Sequence, residues 1–519
     1  MHVTAHAVQD QFYEARMEFE DLIEQLLSPA AAGLTHSQAE DLIAGQGREV
    51  LRQLLQGWLE SRGVGDVGPA LAGQDGVRRT QRRLHSRQLE SLFGTVQIER
   101  LGYGVAGQAS LHPLDAALNL PEERYSHALR KKVAVEVARS SCEEVVEAIV
   151  EHTGAQVPKR QAEELCQRAA QDFDAFYEQR RTQPQTPQAD ASGALVVLTT
   201  DGKGVPMRTE ALRPQTRKAA EASTPKLHTR LSKGEKRHRK RMATVASVYS
   251  IAPHVRRADD VVRELAPVHE VRKERRPQPQ GKRVWASVRK EPRAVIAEMF
   301  DEARRRDPEG QRPWVVLVDG QEHQLRLIRQ EVKRRSAAVT LILDLFHVLE
   351  YLWAAAFAFH AEGSAEAELW VRTQLLAVLR GRVSQVAAAM RRSATVRALN
   401  ARQRAAVDKC ADYLLKYRDM LRYDQYLAAG YPIGTGVIEG ACRYLVKDRM
   451  ERTGARWSLD GAEAVLRLRA LWTNGDFEPY WAFHLHREYE RNHASRLSTD
   501  FQAGHTQSPG QIPHLEIVK

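Results

Sequence analysis

Apolar residues recur every three or four positions through the first part of the chain. Leu42, Ile43, Val50, Leu51, Leu54, Leu55, Trp58 and Leu59 form one such series, and Ser37 with Glu40 offers a capping box ahead of it. The series predicts a long amphipathic helix in a helical region 1–84, with a stripe for core packing or dimerisation. The rhythm then changes. In RQLESLFGTVQIERLGYG, residues 87–104, Leu92, Val96 and Ile98 alternate with polar residues around Gly94, the mark of a short hairpin. From Tyr125 to Asp172 the helical period returns as three helices, the second opening near Ser141 and ending near Gly154, the third starting with Pro158. This outlines a helix-turn-helix, so residues 85–180 read as a DNA-binding region. Ala162, Leu165, Cys166 and Ala169 face inward, and Lys159, Arg160 and Gln161 are left to meet a major groove. An ordinary helical bundle with a solvated face has the same pattern.

Residues 181–193 have no apolar period and are rich in Pro, Gln and small polar residues, so they read as a linker. ALVVLTTDGKG follows as a buried strand that ends on Asp201 and turns at Gly202. A basic loop containing Lys236, Arg237, Arg239, Lys240 and Arg241 connects it to a strand at 243–251. The stretch 253–284 is basic and proline-containing, and a helix is predicted from Pro292 to Arg306. WVVLVDG, residues 314–320, is a second buried strand ending in Asp-Gly, and residues 338–344 form another that runs into a helix near Leu345. The pattern predicts an α/β module over 194–362, a helical insertion over 363–430 without a strand candidate, a return of the module over 431–482 and a tail over 483–519.

At 519 residues the chain exceeds one ordinary core. Lysine and arginine number 77 against 66 acids, a net charge of +11 that favours a polyanionic partner. Cys142, Cys166, Cys410 and Cys442 are scattered without a CxxC pair, which argues against a zinc ribbon or a disulfide framework and fits a reducing cytoplasm. No apolar run has membrane-spanning length and the N-terminus lacks the apolar centre of a secretory signal. These features predict a cytoplasmic protein without a membrane partner, associated with the nucleoid if its partner is DNA.

The candidate chemistry lies in carboxylates. Asp201-Gly202 and Asp319-Gly320 put two acids at strand ends, where open sheets gather ligands, although Asp-Gly is also a plain turn. Glu439, in GTGVIEGACRYLVKDR, lies just inside a helix, with Cys442, Arg443 and Val446 on its face by spacing. Carboxylates without dedicated zinc ligands suit Mg2+ or Mn2+, and two such ions suit in-line displacement at a phosphodiester. Asp344 and His347 follow another strand end and are candidates to line the site, or else a helix cap and a packed histidine. Arg449, Arg452 and Arg456 are candidate phosphate clamps and Trp457 a base-stacking platform; a charged helix end with a buried indole is the plainer alternative. AEAVLRLRALWTNGDFEPYW reads as a closing core helix.

Together TTDGKG, VVLVDGQ, LDLFHVLEYLW and GTGVIEGACRYLVKDRMERTGARWS, with FGTVQIERLGYG and HPLDAALNLPEERYS, resemble bacterial insertion-sequence DDE transposases of the ISKra group over residues 86–482. The resemblance implies an RNase H-like core, a mixed sheet flanked by helices, interrupted by a helical insertion and preceded by a mainly helical DNA-binding region. It matches Asp201, Asp319 and Glu439 to the three catalytic and metal-holding acids. It also implies binding of terminal inverted repeats in double-stranded DNA, strand cleavage and 3′-hydroxyl transfer by a homo-oligomer. A cysteine-based zinc module found in some relatives is absent from the N-terminal sequence. A structure-selective nuclease on the same core, or a domesticated DNA-binding protein without catalysis, are the other readings.

Overall fold

The computed structural model describes residues 10–182, 194–222, 227, 229, 239–265, 276–452 and 454–498. The chain divides into two compact units, Met1–Phe176 with Gly475–Lys519, and Tyr177–Asn474.

The first unit opens with antiparallel helices Tyr13–Leu27 and His36–Ser61. The capping box of the second is Thr35 with Gln38 rather than Ser37 with Glu40, because Thr35 holds the extended backbone that lets its hydroxyl accept from the Gln38 N–H. The expected apolar stripe splits by side. Leu59 is buried, whereas Ile43, Leu51, Leu54 and Trp58 share a face and are 42–46% exposed. The hairpin is longer than expected and starts earlier, at Gln81–Ser91 paired with Gly94–Val105, and Gln108–Leu111 adds a third strand. The region 1–84 is therefore not wholly helical.

Three helices follow, His127–Arg139, Cys142–Thr153 and Lys159–Ala169. Ser141 and Glu144 cap the second reciprocally, and Gly154, at φ 69°, ends it in the left-handed conformation that glycine adopts without strain. Pro158 stands one residue ahead of the third helix rather than inside it. A last helix, Phe477–Tyr489, belongs to this unit and not to the end of the other. The segment AEAVLRLRALWTNGDFEPYW is two helices broken at Gly475, which has φ 71°. Its second half is held by buried charge: Arg130, 1% exposed, pairs with Glu488 at 2.8 Å and Glu123 at 3.2 Å, and Asp172 accepts from His484 and Arg491. Buried ions endure only when paired in this way.

The second unit is built on a five-stranded mixed sheet. We number its strands β1 (Leu195–Pro206), β2 (Lys240–Ile251), β3 (Gln280–Ser287), β4 (Trp314–Val318) and β5 (Val339–Leu343). Their spatial order is β5-β4-β1-β2-β3. β1, β2 and β3 are antiparallel neighbours, while β4 runs parallel to β1 and β5 parallel to β4. Every side chain from Leu195 to Thr200 and from Trp314 to Val318 is buried, as for strands covered on both faces. β3 begins in the basic, proline-containing stretch 253–284, for which no strand is predicted; its Lys282 and Arg283 interrupt the apolar signal, and only its last residues, Val284 to Ser287, approach full burial.

Helices α1 (Pro292–Arg306), α2 (Glu322–Arg335) and α3 (Leu345–Ala356) pack in the same core. The insertion is helical as expected, with α4 (Ala365–Leu379), α5 (Val383–Val396), α6 (Ala401–Lys416) and α7 (Tyr423–Ala428). The chain returns in α8 (Gly436–Ala441), which runs through a π turn, Cys442–Lys447, into Asp448–Met450, and ends this unit with α9 (Leu459–Thr473).

From α9 the buried carboxylate of Glu463 accepts from Ser287 Oγ and from the Val288 and Arg289 N–H groups, at 2.9–3.1 Å, closing the end of β3. Glu463→Ala leaves these donors unpaired and is expected to destabilise the fold by roughly 3 kcal/mol, with Glu463→Gln costing less. Urea unfolding of both variants measures the difference.

Candidate active site at the carboxyl edge of the parallel strands

Asp201 is not at the end of its strand. β1 continues antiparallel to β2 as far as Pro206, with Asp201 opposite Val245. The parallel ladder with β4, however, stops at Thr199↔Leu317, so Asp201 stands two residues beyond it, as Asp319 does on the neighbouring strand. Val318 pairs with Leu343 on β5, and the Asp344 N–H donates to the Val318 carbonyl at 2.8 Å. The register thus brings Asp201, Asp319 and Asp344 to one level on three adjacent strands. Asp201 and Asp319 are half-buried and Asp344 is wholly buried.

Asp344 caps α3 and does more than cap it. One oxygen accepts from the His347 N–H at 3.1 Å and lies 2.8 Å from His347 Nδ1; the other accepts from the Thr435 N–H at 2.8 Å. Next to it, the Leu345 N–H donates to the Ile433 carbonyl. The Thr435 hydroxyl in turn donates to Glu439 Oε1 at 2.9 Å. A chain of bonds therefore runs from the end of β5 to the third acid, across 91 residues of sequence. Asp344 is thus a helix cap, and its second oxygen ties down the turn that precedes Glu439.

The helix bearing Glu439 is less regular than its spacing implied. Cys442 is buried and points its thiol at Asp201 Oδ2, 3.3 Å away, while Arg443 is exposed with Asp448 its ion-pair partner at 3.9 Å. The π turn that starts at Cys442 places more residues in each turn than an α-helix, so the three-, four- and seven-residue spacing no longer selects one face. Burial, together with the charges of Asp201 and Glu439, pushes the Cys442 thiol far above its ordinary range. It stays protonated and acts as a donor to Asp201.

The insertion supplies groups that the sequence reading missed. Tyr413 Oη donates to the Asp319 carbonyl, Tyr417 Oη to the Gly320 carbonyl at 2.6 Å, and Tyr423 Oη to the Leu343 carbonyl at 2.8 Å. The tyrosines of YLLKYRDMLRYDQY thus fasten the strand ends that carry the acids. Their mutual spacing was the available signal, but aromatic residues at helical spacing ordinarily mean core.

Electrostatics distinguish His347 from a packed neutral histidine. Its bond to Asp344 comes first among the causes, opposed by partial burial and helped by the charges of Asp344 and Asp319, and its pKa is raised to about 9. The imidazole is therefore a cation at neutral pH, bound to Asp344. Among the described residues no three His, Cys, Asp or Glu side chains form a ready-made metal-binding set. Asp201 and Asp319 share a level through the strand register, and Glu439 is held by Thr435, but the three carboxylates are not gathered into one such set.

The expected DNA contacts fall into different surroundings. Lys159 and Arg160 are exposed but paired with Glu143 and Glu164, and Gln161 also bonds Glu164. Lys236 and Arg237 lie outside the described residues. Lys240 pairs with Glu451, and Arg241 donates to the Val288 and Ala211 carbonyls. Arg449 is buried over the Trp457 ring at 4.8 Å, and the indole N–H donates to the Met450 carbonyl. Trp457 also pairs its backbone with Pro206 and Arg208. Arg449 and Trp457 thus serve each other and the end of β1 instead of presenting a clamp and a free stacking face. Arg452 and Arg456 are exposed.

No protein-family model matches the chain, and no curated protein matches it.

A histidine raised on folding adds stability that is complete below its unfolded value near 6.5 and is lost as pH rises through about 9. The stability difference between the wild type and His347→Gln should therefore shrink from pH 6 to pH 10. The imidazole resonance missing from the spectrum of that variant should titrate near pH 9 in the wild type and at or below 6.5 in Asp344→Asn. An unchanged midpoint in Asp344→Asn would contradict the assignment.

Proposed function

We propose that this protein is a DDE-type transposase, a metal-dependent enzyme that cuts DNA at the ends of a mobile element and joins the 3′-hydroxyl ends to target DNA. The observation that carries the reading is the register that aligns Asp201 with Asp319 beside a tethered Glu439. The strand order β5-β4-β1-β2-β3, with three antiparallel strands followed by two parallel ones, is what an RNase H-like core requires and supports that finer description of the α/β fold. The interruption between β5 and α8 has the position expected for a helical insertion ahead of the third acid.

Asp201, Asp319 and Glu439 are the residues that would hold divalent cations. Held there, two Mg2+ or Mn2+ ions would supply Lewis-acid chemistry, offsetting charge on a phosphodiester and lowering the pKa of an attacking hydroxyl. The protein's own part is orientation. Thr435 fixes one Glu439 oxygen, Cys442 and the Gly202 N–H engage Asp201, and the Gln321 N–H engages Asp319 Oδ1 at 2.8 Å. His347 offsets part of the negative potential at this edge and offers a cation to an incoming phosphate.

DNA is the proposed partner on grounds of the +11 net charge and the helical triplet of the first unit. Two element ends must be held at once, so a homo-oligomer is proposed, with the exposed stripe of Ile43, Leu51, Leu54 and Trp58 as its contact. Among the described residues no helix is long and apolar enough to cross a membrane.

Asp201→Asn, Asp319→Asn and Glu439→Gln should each lower Mg2+-dependent cleavage of element-end DNA by a factor of about 10³ or more while DNA binding persists. Retained cleavage in all three would refute the proposal. Strand transfer from a pre-cut end separates a transposase from a nuclease that only hydrolyses, and absence of both activities in the wild type would leave a binding protein.

A further inference from the structure

We infer that a basic cleft between α2 and the end of α6 carries the backbone of the substrate DNA away from the carboxylate edge; the inference rests on the function proposed above. The cleft, of about 430 Å³, is lined by Arg326, Arg329 and Lys333 from α2 and by Lys416 and Tyr417 after it. A second hollow, of about 540 Å³, shares Arg329 and continues past Arg422 and Tyr426. Asp201, Asp319, Asp344 and Glu439 do not line the cleft, but two of its residues tie it to the segment that follows Asp319. Tyr417 Oη donates to the carbonyl of Gly320, the residue after Asp319, and Lys416 pairs with Glu322 in the first turn of α2.

The charges of α2 are sorted by face. Glu331 is buried and takes Arg334 and Arg335, and Arg335 also reaches Asp301. Arg326, Arg329 and Lys333, spaced three and seven positions along the opposite face, are exposed, and none has an acidic partner within ion-pair distance among the described residues. Arg326 has only the ring nitrogen of His323 at 3.0 Å. A helix whose basic residues serve solubility alone would gain by pairing them along its own surface, as the helix Lys159–Ala169 does with Arg160 and Glu164. Seven residues of helix rise span about 10 Å, and about 10 Å of duplex axis presents roughly three phosphates of one strand. Three unpaired cations over that length match a tracked backbone.

The test uses the full chain and a double-stranded oligonucleotide carrying an element end. The triple variant Arg326→Ala/Arg329→Ala/Lys333→Ala should lower affinity at least ten-fold at about 0.1 M salt, and reduce the slope of log K against log salt by about two to three. Glu322→Gln, which releases Lys416, should tighten binding, a gain that misfolding cannot mimic. Wild-type affinity and slope in the triple variant, or no gain in Glu322→Gln, would overturn the cleft as a DNA track while leaving the proposed activity intact. Salt-dependent binding that is lost in the triple variant, in a wild type that neither cleaves nor joins, would support the cleft and refute the activity. No DNA binding by the wild type would refute both.

Discussion

The carboxylate of Asp344 is the constraint on which the arrangement of the second unit turns. It is fully buried, and a buried carboxylate is tolerable only when its oxygens are met by donors. The donors come from both sides of a long sequence interval: His347 from the helix that β5 runs into, and Thr435 from the turn that precedes Glu439. Satisfying one side chain thereby fixes the ends of the insertion, the charge on His347 and the reach of Glu439. The tyrosines of α6 and α7 reinforce the same edge by taking its carbonyls. Asp201 and Asp319 depend on backbone register, whereas Glu439 depends on this network.

Much of the second unit could be read in the sequence because its inner strands are buried on both faces, and such strands are continuous β-branched runs. Leu195 to Leu198 and Trp314 to Val318 announce themselves in this way. The end of β1 did not, since Gly202 and Gly204 look like a turn. In the structure both lie inside β1, beneath side chains of β2: a Cβ on Gly204 would lie 2.8 Å from Lys240 Cδ. Asp201 was therefore assigned to the right level for an incomplete reason. It lies past the parallel ladder, not past the strand. β3 was illegible because it stands at the sheet edge, where Lys282 and Arg283 are tolerated.

The candidate site was legible residue by residue but not as a network. Spacing put Asp201 and Asp319 at strand ends, Glu439 just inside a helix and Asp344 with His347 after another strand, although Asp201 lies within β1. It could not show that Thr435 links the pair to Glu439, because that contact joins residues from opposite ends of the insertion. Spacing left a phosphate clamp and a buried indole both open for Arg449 and Trp457, which form an aromatic-cation pair with each other. The π turn after Ala441 had no periodic signature and moved Arg443 away from the acids.

The stretch from α3 to α7, which contains the helical insertion, begins and ends at neighbouring bonds, Leu345 to Ile433 and Asp344 to Thr435. A segment that leaves and re-enters a scaffold at one doorway transmits little of its own length to either side. Related chains would thus be free to lengthen, shorten or replace it without displacing the third acid, provided that the doorway and the aromatic props against the strand ends are kept. The insertion is in that sense an interchangeable attachment, and diversity in this lineage should concentrate there while the doorway residues stay fixed.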